Sequence, residues 1–232
     1  APLYKKKRYR KIEIKSALIT GATSGLGKEL ALEYGKRLKE LYLVARNDFL
    51  LEKVKKEILN NSQCKVKTIK CDISSSEDIE DLSNCIKTVD LLINNAGIHL
   101  KGSVNMTSID YFHKIFKTNF IGAVNLTTNF LRKSTRPKKI INILSTTAIA
   151  GRANLGAYGA SKSALWSYTR SLRRMFGNNM QILEVIVATF ASNLSKNGII
   201  VEDSDIGNGS TKDFQSNFCL LLPLQQLSFH KI

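Results

Sequence analysis

Tyr158 and Lys162 stand four residues apart in a segment, Gly156 to Arg174, whose pattern predicts a helix. At that spacing both side chains leave the same helical face, so an ammonium lies beside a phenol. A phenol ordinarily titrates near ~10, too high for a base at neutral pH, and a neighbouring positive charge draws it toward the working range. The pair alone arises often by chance. Its weight comes from the residues that accompany it: Ser145 at the carboxyl end of the apolar run Ile140 to Leu144, Asn119 inside the helical pattern Tyr111 to Leu131, and Asn94-Asn95-Ala96-Gly97 directly after the run Val89 to Ile93. Carboxyl ends of strands line the ligand crevice of an open α/β sheet. Each residue also has a plainer structural use: Ser145 as a cap, Asn119 as a satisfied buried amide, Tyr158 as a core ring with a polar tip.

A second constellation lies near the start. Thr20-Gly21-Ala22-Thr23-Ser24-Gly25-Leu26-Gly27 follows the apolar run Ala17, Leu18, Ile19 and opens a helical pattern. Glycines there let backbone approach a pyrophosphate held by free N–H groups and the helix dipole, although the spacing is GxxxGxG and a plain strand-to-helix connection would look similar. After the second strand a dinucleotide fold usually offers an acid to the ribose 2′-hydroxyl. Here that strand ends Leu43-Val44-Ala45-Arg46. A guanidinium can fork onto a 2′-phosphate, so Arg46 favours NADP(H) over NAD, the alternative being an ordinary surface arginine.

The elements that must position these residues follow from the hydrophobic pattern. Apolar runs at Leu41 to Val44, Val66 to Ile69 and Ile182 to Val187 join those at residues 17–19, 89–93 and 140–144 as six buried strands. Helical patterns near Leu26 to Leu38, Asp48 to Asn60, Glu77 to Lys87, Tyr111 to Leu131 and Gly156 to Arg174 alternate with them, and Leu50, Leu51, Val54 and Ile58 share one face of the second. The expected fold is α/β, a doubly wound parallel sheet of Rossmann type with helices on both faces. Residues 15–232 read as one dinucleotide-binding domain.

Residues 1–14 form a separate basic segment carrying Lys5, Lys6, Lys7, Arg8, Arg10 and Lys11, part of a formal net charge of +16. It reads as a solvated terminus or as a contact to an anionic membrane surface. No base-reading module or aromatic platform accompanies it, so no nucleic-acid partner is expected. The sequence opens on Ala1 and not on methionine, as a fragment or processed chain does, which leaves an anchor before Ala1 open. No stretch reaches the roughly 18 apolar residues of a membrane span. Cys64, Cys71, Cys85 and Cys219 show neither metal-ligand spacing nor a disulfide framework, which fits the cytoplasm or the cytosolic face of an intracellular membrane.

With TGxxxGxG, NNAG, a helix Asn, a strand-end Ser and YxxxK present in order, the sequence from Lys15 to Asn193 resembles the short-chain dehydrogenase/reductase family in its compact, non-extended branch. The resemblance implies a ketone or aldehyde interconverted with an alcohol by hydride transfer. It implies Tyr158 as general acid/base, Lys162 lowering its pKa and holding the nicotinamide ribose, Ser145 bonding the substrate oxygen, and Asn119 supporting a proton-relay water. It implies cofactor contacts from Thr20, Gly21, Thr23, Ser24, Gly25, Leu26, Gly27 and Arg46, from Asn95, Ala96 and Gly97, from Asp72 to the adenine with Ile73 beside it, and from Thr189. Homo-oligomers are also implied, pairing the helices at 111–131 and 156–174, although Leu165, Trp166 and Leu172 equally suit a core.

The family usually carries a Pro-Gly turn after the sixth strand, where Ala188 and Thr189 stand here, and a threonine where Asn193 stands; Leu144 replaces the first serine of a frequent pair. From about residue 194 Gly, Ser, Asn and Asp accumulate, and only Phe218 to Leu222 reads as a strand. A bulky apolar ketone or lipid intermediate is the expected substrate if the basic segment sits on a membrane. The alternative is a dinucleotide-binding sensor or scaffold with little turnover.

Overall fold

The computed structural model describes residues 12–99, 104–177 and 179–187, together with the strands at 199–202 and 221–222. The six expected strands form, with shifted ends: β1 Ser16–Thr20, β2 Glu40–Ala45, β3 Lys65–Lys70, β4 Leu91–Asn94, β5 Lys139–Ser145 and β6 Gln181–Val187. All five pairings among them are parallel, in the order β3-β2-β1-β4-β5-β6. This is the doubly wound order, and its direction reverses between β1 and β4. Two antiparallel strands continue the sheet, β7 Ile199–Glu202 against β6 and β8 Leu221–Leu222 against β7. The second falls within the expected 218–222 run, whose first three residues lie outside the described residues; the first was not expected.

Alternation along the strands feeds two cores. Ala17, Ile19, Leu41, Leu43, Leu91 and Ile93 pack under α1 (Gly25–Gly35) and α2 (Asp48–Leu59). Leu18, Val44, Leu92, Ile140 and Ile182 face α3 (Ser76–Cys85), α5 (Ala123–Leu131) and α6 (Gly156–Phe176). Leu51, Val54 and Ile58 of α2 are buried as expected, whereas Leu50 remains 37% exposed at the rim. Outermost among the parallel strands, β3 carries Lys65, Lys67 and Lys70, and solvated lysines discourage pairing at an edge.

The helix expected over residues 111–131 is interrupted. It is regular as α4 (Ile109–Phe116), which ends three residues before Asn119, then one π-helical turn spans Lys117–Gly122 before α5 resumes. Such turns widen a helix by one residue and re-aim the side chains on it. Leu165 and Leu172 of α6 are buried within this chain, and Trp166 packs partly against Leu144 and Ile186.

Candidate active site

β1 and β4 are neighbours at the point of reversal, and the residues beyond their carboxyl ends are laced together. The Thr20 hydroxyl donates to the Ile93 carbonyl (3.3 Å) and accepts from the N–H groups of Asn95 and Ala96 (3.0 Å each). The Asn95 amide donates to the carbonyls of Thr20 (2.9 Å) and Gly21 (3.3 Å). Gly21 adopts φ +67°, and a Cβ there would stand 2.8 Å from Ala96 Cα, so only glycine lets the two segments meet. Thr20 and Gly27 are buried behind this junction and shape it, while Thr23 is half-buried and Ser24 and Gly25 face solvent. Leu26 packs on the core beneath.

The start of α1 is left bare. Side chains of Asn47, Ser75 and Ser108 cap α2, α3 and α4, but Ser24 makes no capping bond to α1 and no acid occupies its first turn. Free N–H groups at a helix start, aided by the helix dipole, suit a phosphate.

Around the adenine end of the expected site, Arg46 is exposed just past β2, and its neighbour Asn47 accepts the Leu50 N–H (3.0 Å). Asp72 follows β3, and its Oδ1 accepts from the Ser74 N–H (2.9 Å) and hydroxyl (2.8 Å), which closes the turn into α3. Ile73 is buried, with Ala96 against the same cluster. Thr189, with Ala188 and Asn193, lies outside the described residues.

The second constellation gathers at the ends of β5 and α6. Ser145, 3% exposed, accepts from the N–H (3.2 Å) and hydroxyl (3.0 Å) of Thr147, which leaves its own hydrogen free to turn toward Tyr158. Lys162, also 3% exposed, donates to the Ile143 carbonyl (2.8 Å) with its Nζ 5.8 Å from the Tyr158 ring centre. Asn119, in the π-helical turn, is fully buried and spans two elements. Its Oδ1 accepts the Ile98 N–H (2.8 Å), and its Nδ2 donates to the Ile98 carbonyl (2.9 Å) and to Ser161 Oγ (3.1 Å). Ser161 in turn donates to the Tyr158 carbonyl (2.7 Å). Both amide hydrogens of Asn119 are thus engaged in joining α6 to the segment after Gly97.

The electrostatics correct one expectation. Burial pushes the Tyr158 phenol above its ordinary value, and the Ser145 hydroxyl draws it only part of the way back. Burial also brings Lys162 down to about 8. Both groups have lost solvent, which disfavours the charged form of each, and for the phenol this outweighs what lowers it. At neutral pH Tyr158 therefore holds its proton and Lys162 its charge.

These residues fit a nicotinamide dinucleotide. Gly97 is exposed, and a Cβ there would lie 3.2 Å from Asn119 Oδ1 and 3.6 Å from Lys162 Nζ, so a side chain at this position would crowd both. The bare start of α1 lies across the Thr20–Asn95 junction from it. Sequence reasoning missed Ser161 and Thr147, which hold Asn119 and Ser145. It also missed His99, whose ring meets that of Tyr158 edge-on, with centres 5.9 Å apart and planes at 64°. It missed a buried chain as well: Asn94 donates to Thr127 (2.9 Å) and Asn142 (2.8 Å), and Asn142 to Thr169 (2.8 Å), tying β4 and β5 to α5 and α6. The i+3 spacing of Ser161 from Tyr158 was the one signal available for any of these.

Residues 15–198 match the family model described as short chain dehydrogenase. The mouse protein "Dehydrogenase/reductase SDR family member 7B" is 31% identical over 201 residues, which is 82% of this chain and 62% of that protein, so the chain spans about three fifths of that relative's length. Among solved structures, an NAD+-bound xylitol dehydrogenase superposes with a TM-score of 0.72 at 23% identity, covering 77% of this chain and 72% of the other. A short-chain dehydrogenase from Sphingobium yanoikuyae in complex with NADPH superposes with a TM-score of 0.69 at 23% identity, covering 78% and 73%. The structural likenesses establish the fold, and the family match over residues 15–198, with the sheet order above, establishes that the chain belongs to the short-chain dehydrogenase/reductase family.

Proposed function

We propose that this chain is an NADP(H)-dependent oxidoreductase that interconverts a ketone or aldehyde and an alcohol. One observation carries the reading: Tyr158, Ser145 and Lys162 converge beside the exposed Gly97, at the carboxyl ends of the central strands. When bound, the nicotinamide supplies or accepts the hydride. The Lys162 ammonium, charged at neutral pH and beside Gly97, would hold the ribose hydroxyls. Ser145 and Tyr158 offer hydrogen bonds to one carbonyl oxygen, and the phenol passes its proton to the alkoxide that develops on it. Because burial keeps Tyr158 protonated at neutral pH, reduction starts from the resting state, and oxidation first needs the phenolate.

Arg46 supports the choice of NADP(H). Solved relatives of this fold hold NAD+ in one case and NADPH in another, so the fold serves both. An exposed guanidinium, where an acid would accept the ribose hydroxyls, recruits a 2′-phosphate instead. The remaining site roles are those expected above: the α1 turn and residues 95–97 for the pyrophosphate and nicotinamide halves, Asp72 and Ile73 for the adenine, Thr189 beyond β6. Asn119 acts through its clamp on Ile98. Ile109 and Ile121, 68% and 53% exposed around the π-helical turn, suit a homo-oligomeric contact. The chain with NADPH and a panel of aliphatic, steroidal and acyl ketones should consume NADPH, and Tyr158→Phe should bind NADPH without consuming it. Binding by the wild type with no oxidation by any carbonyl would overturn the reading in favour of a sensor.

A further inference from the structure

Resting on that reading, we infer that His99 touches the substrate and selects carbonyl compounds bearing a second hydrogen-bonding group next to the reacting carbonyl. Its position is enforced. Both backbone polar atoms of Ile98 are held by Asn119, at 2.8 and 2.9 Å, and Asn119 is held through Ser161 to the backbone of Tyr158 itself. A chain of four hydrogen bonds therefore runs from the residue before His99 to the tyrosine that His99 faces. The two rings meet edge-on with centres 5.9 Å apart, and yet His99 is exposed.

Among the described residues neither ring nitrogen of His99 takes part in a hydrogen bond. An imidazole offers one donor and one acceptor when neutral and two donors when charged. A carbonyl oxygen bonded to Tyr158 and Ser145 places the atoms one or two bonds away within reach of that ring. The same rim has an apolar side. Val104, 58% exposed, has its N–H on the Ala153 carbonyl (3.0 Å), and its Cγ2 lies 3.0 Å from where a Cβ of Gly156 would stand, two residues before Tyr158. One polar contact and one apolar wall beside a single proton donor describe a site for a compound with a polar group adjacent to its carbonyl and an apolar remainder.

A matched pair tests this: 1-phenyl-1,2-propanedione and propiophenone share a skeleton and differ in one oxygen. With saturating NADPH, His99→Phe preserves the ring packing and should raise KM for the diketone about tenfold, the size of one lost hydrogen bond, while KM for propiophenone and both kcat values stay within about twofold. His99→Gln, which keeps a donor and an acceptor, should restore most of the diketone KM. Equal changes for both ketones, or a fall in kcat for both, would mean that His99 only packs against Tyr158 and would overturn the inference. Should the wild type oxidise NADPH with neither ketone, the reductase reading falls only if the whole carbonyl panel fails too, and in either case calorimetry of each ketone against the NADP+-loaded protein decides the matter. Diketone binding weakened in His99→Phe with propiophenone unaffected sustains the His99 contact; unchanged diketone binding removes it.

Discussion

Lys162 gives a pH-dependent stability that can be worked from its surroundings. Burial lowers its folded pKa to about 8 from an ordinary 10.5, a difference of 2.5 units. At about 1.4 kcal/mol per pH unit, holding the buried charge costs roughly 3–4 kcal/mol. The sign follows from proton counts. Between pH 8 and 10.5 the unfolded lysine binds more protons than the folded one, so stability rises with pH through that window, and the full cost is felt below pH 8. Lys162→Met keeps an unbranched side chain of similar length and removes the charge, at the loss of the 2.8 Å bond to Ile143, worth roughly 1.5–3 kcal/mol for a charged donor. Without nucleotide, the variant should therefore match or slightly exceed the wild type at pH 7. It should then fall behind by about 3 kcal/mol as pH rises to 10.5, since other groups titrate alike in both chains. Urea unfolding followed by circular dichroism across that range reads the gap directly. A gap that stays constant from pH 7 to 10.5 would refute the claim that Lys162 is buried with a depressed pKa.

Arg46→Ala should weaken NADPH binding at least tenfold and leave NADH nearly unchanged, measured by quenching of nicotinamide fluorescence; equal wild-type affinities for the two nucleotides would refute the preference. Gly97→Ala brings a methyl to 3.2 Å from Asn119 Oδ1 and 3.6 Å from Lys162 Nζ, so nucleotide binding should drop steeply while the melting temperature changes little, and unaltered binding would show that the nucleotide does not approach Gly97. Asn119→Leu strands both backbone groups of Ile98 and should cost about 2–4 kcal/mol in denaturant titration, two unsatisfied buried groups at roughly 1–3 kcal/mol each, partly relieved by solvent.

The strands and most helices were legible because their burial is written in apolar spacing: Ala17 to Ile19, Leu41 to Val44 and Ile140 to Leu144 are continuous runs of the kind a sheet covered on both faces requires. Ends were less legible. Val89 was expected within β4 but precedes it, because Asp90 accepts the N–H groups of Lys15 and Ser16 (2.7 and 3.2 Å) and starts the strand after itself. β7 escaped notice because its apolar run Ile199-Ile200-Val201 sits in a tail of loop-like composition, and its pairing with Val185 to Val187 is a long-range property that no local pattern records.

The site divides the same way. Tyr158, Lys162, Ser145 and the Thr20–Gly27 turn could be singled out because they occur together and in order, each common by itself, around the carboxyl ends of the expected strands. What surrounds them could not. The spacing of Phe112, Phe116 and Phe120 continues at i+4 through the π-helical turn, with stacked or edge-on rings at 5.5 and 6.3 Å, so the interruption leaves no mark on periodicity. The direction of the Tyr158 shift is not legible in the spacing, which places an ammonium near the phenol but says nothing of how deeply the phenol is buried.

The proposed reaction is hydride transfer from the nicotinamide to a carbonyl carbon, with Tyr158 supplying the proton. With NADPH carrying deuterium at the transferred C4 position and a ketone taken from the panel, the alcohol formed by the wild type should bear deuterium on its carbinol carbon. Tyr158→Phe should bind the same nucleotide and form no alcohol. Alcohol without deuterium, or deuterated alcohol formed at the wild-type rate by Tyr158→Phe, would contradict it.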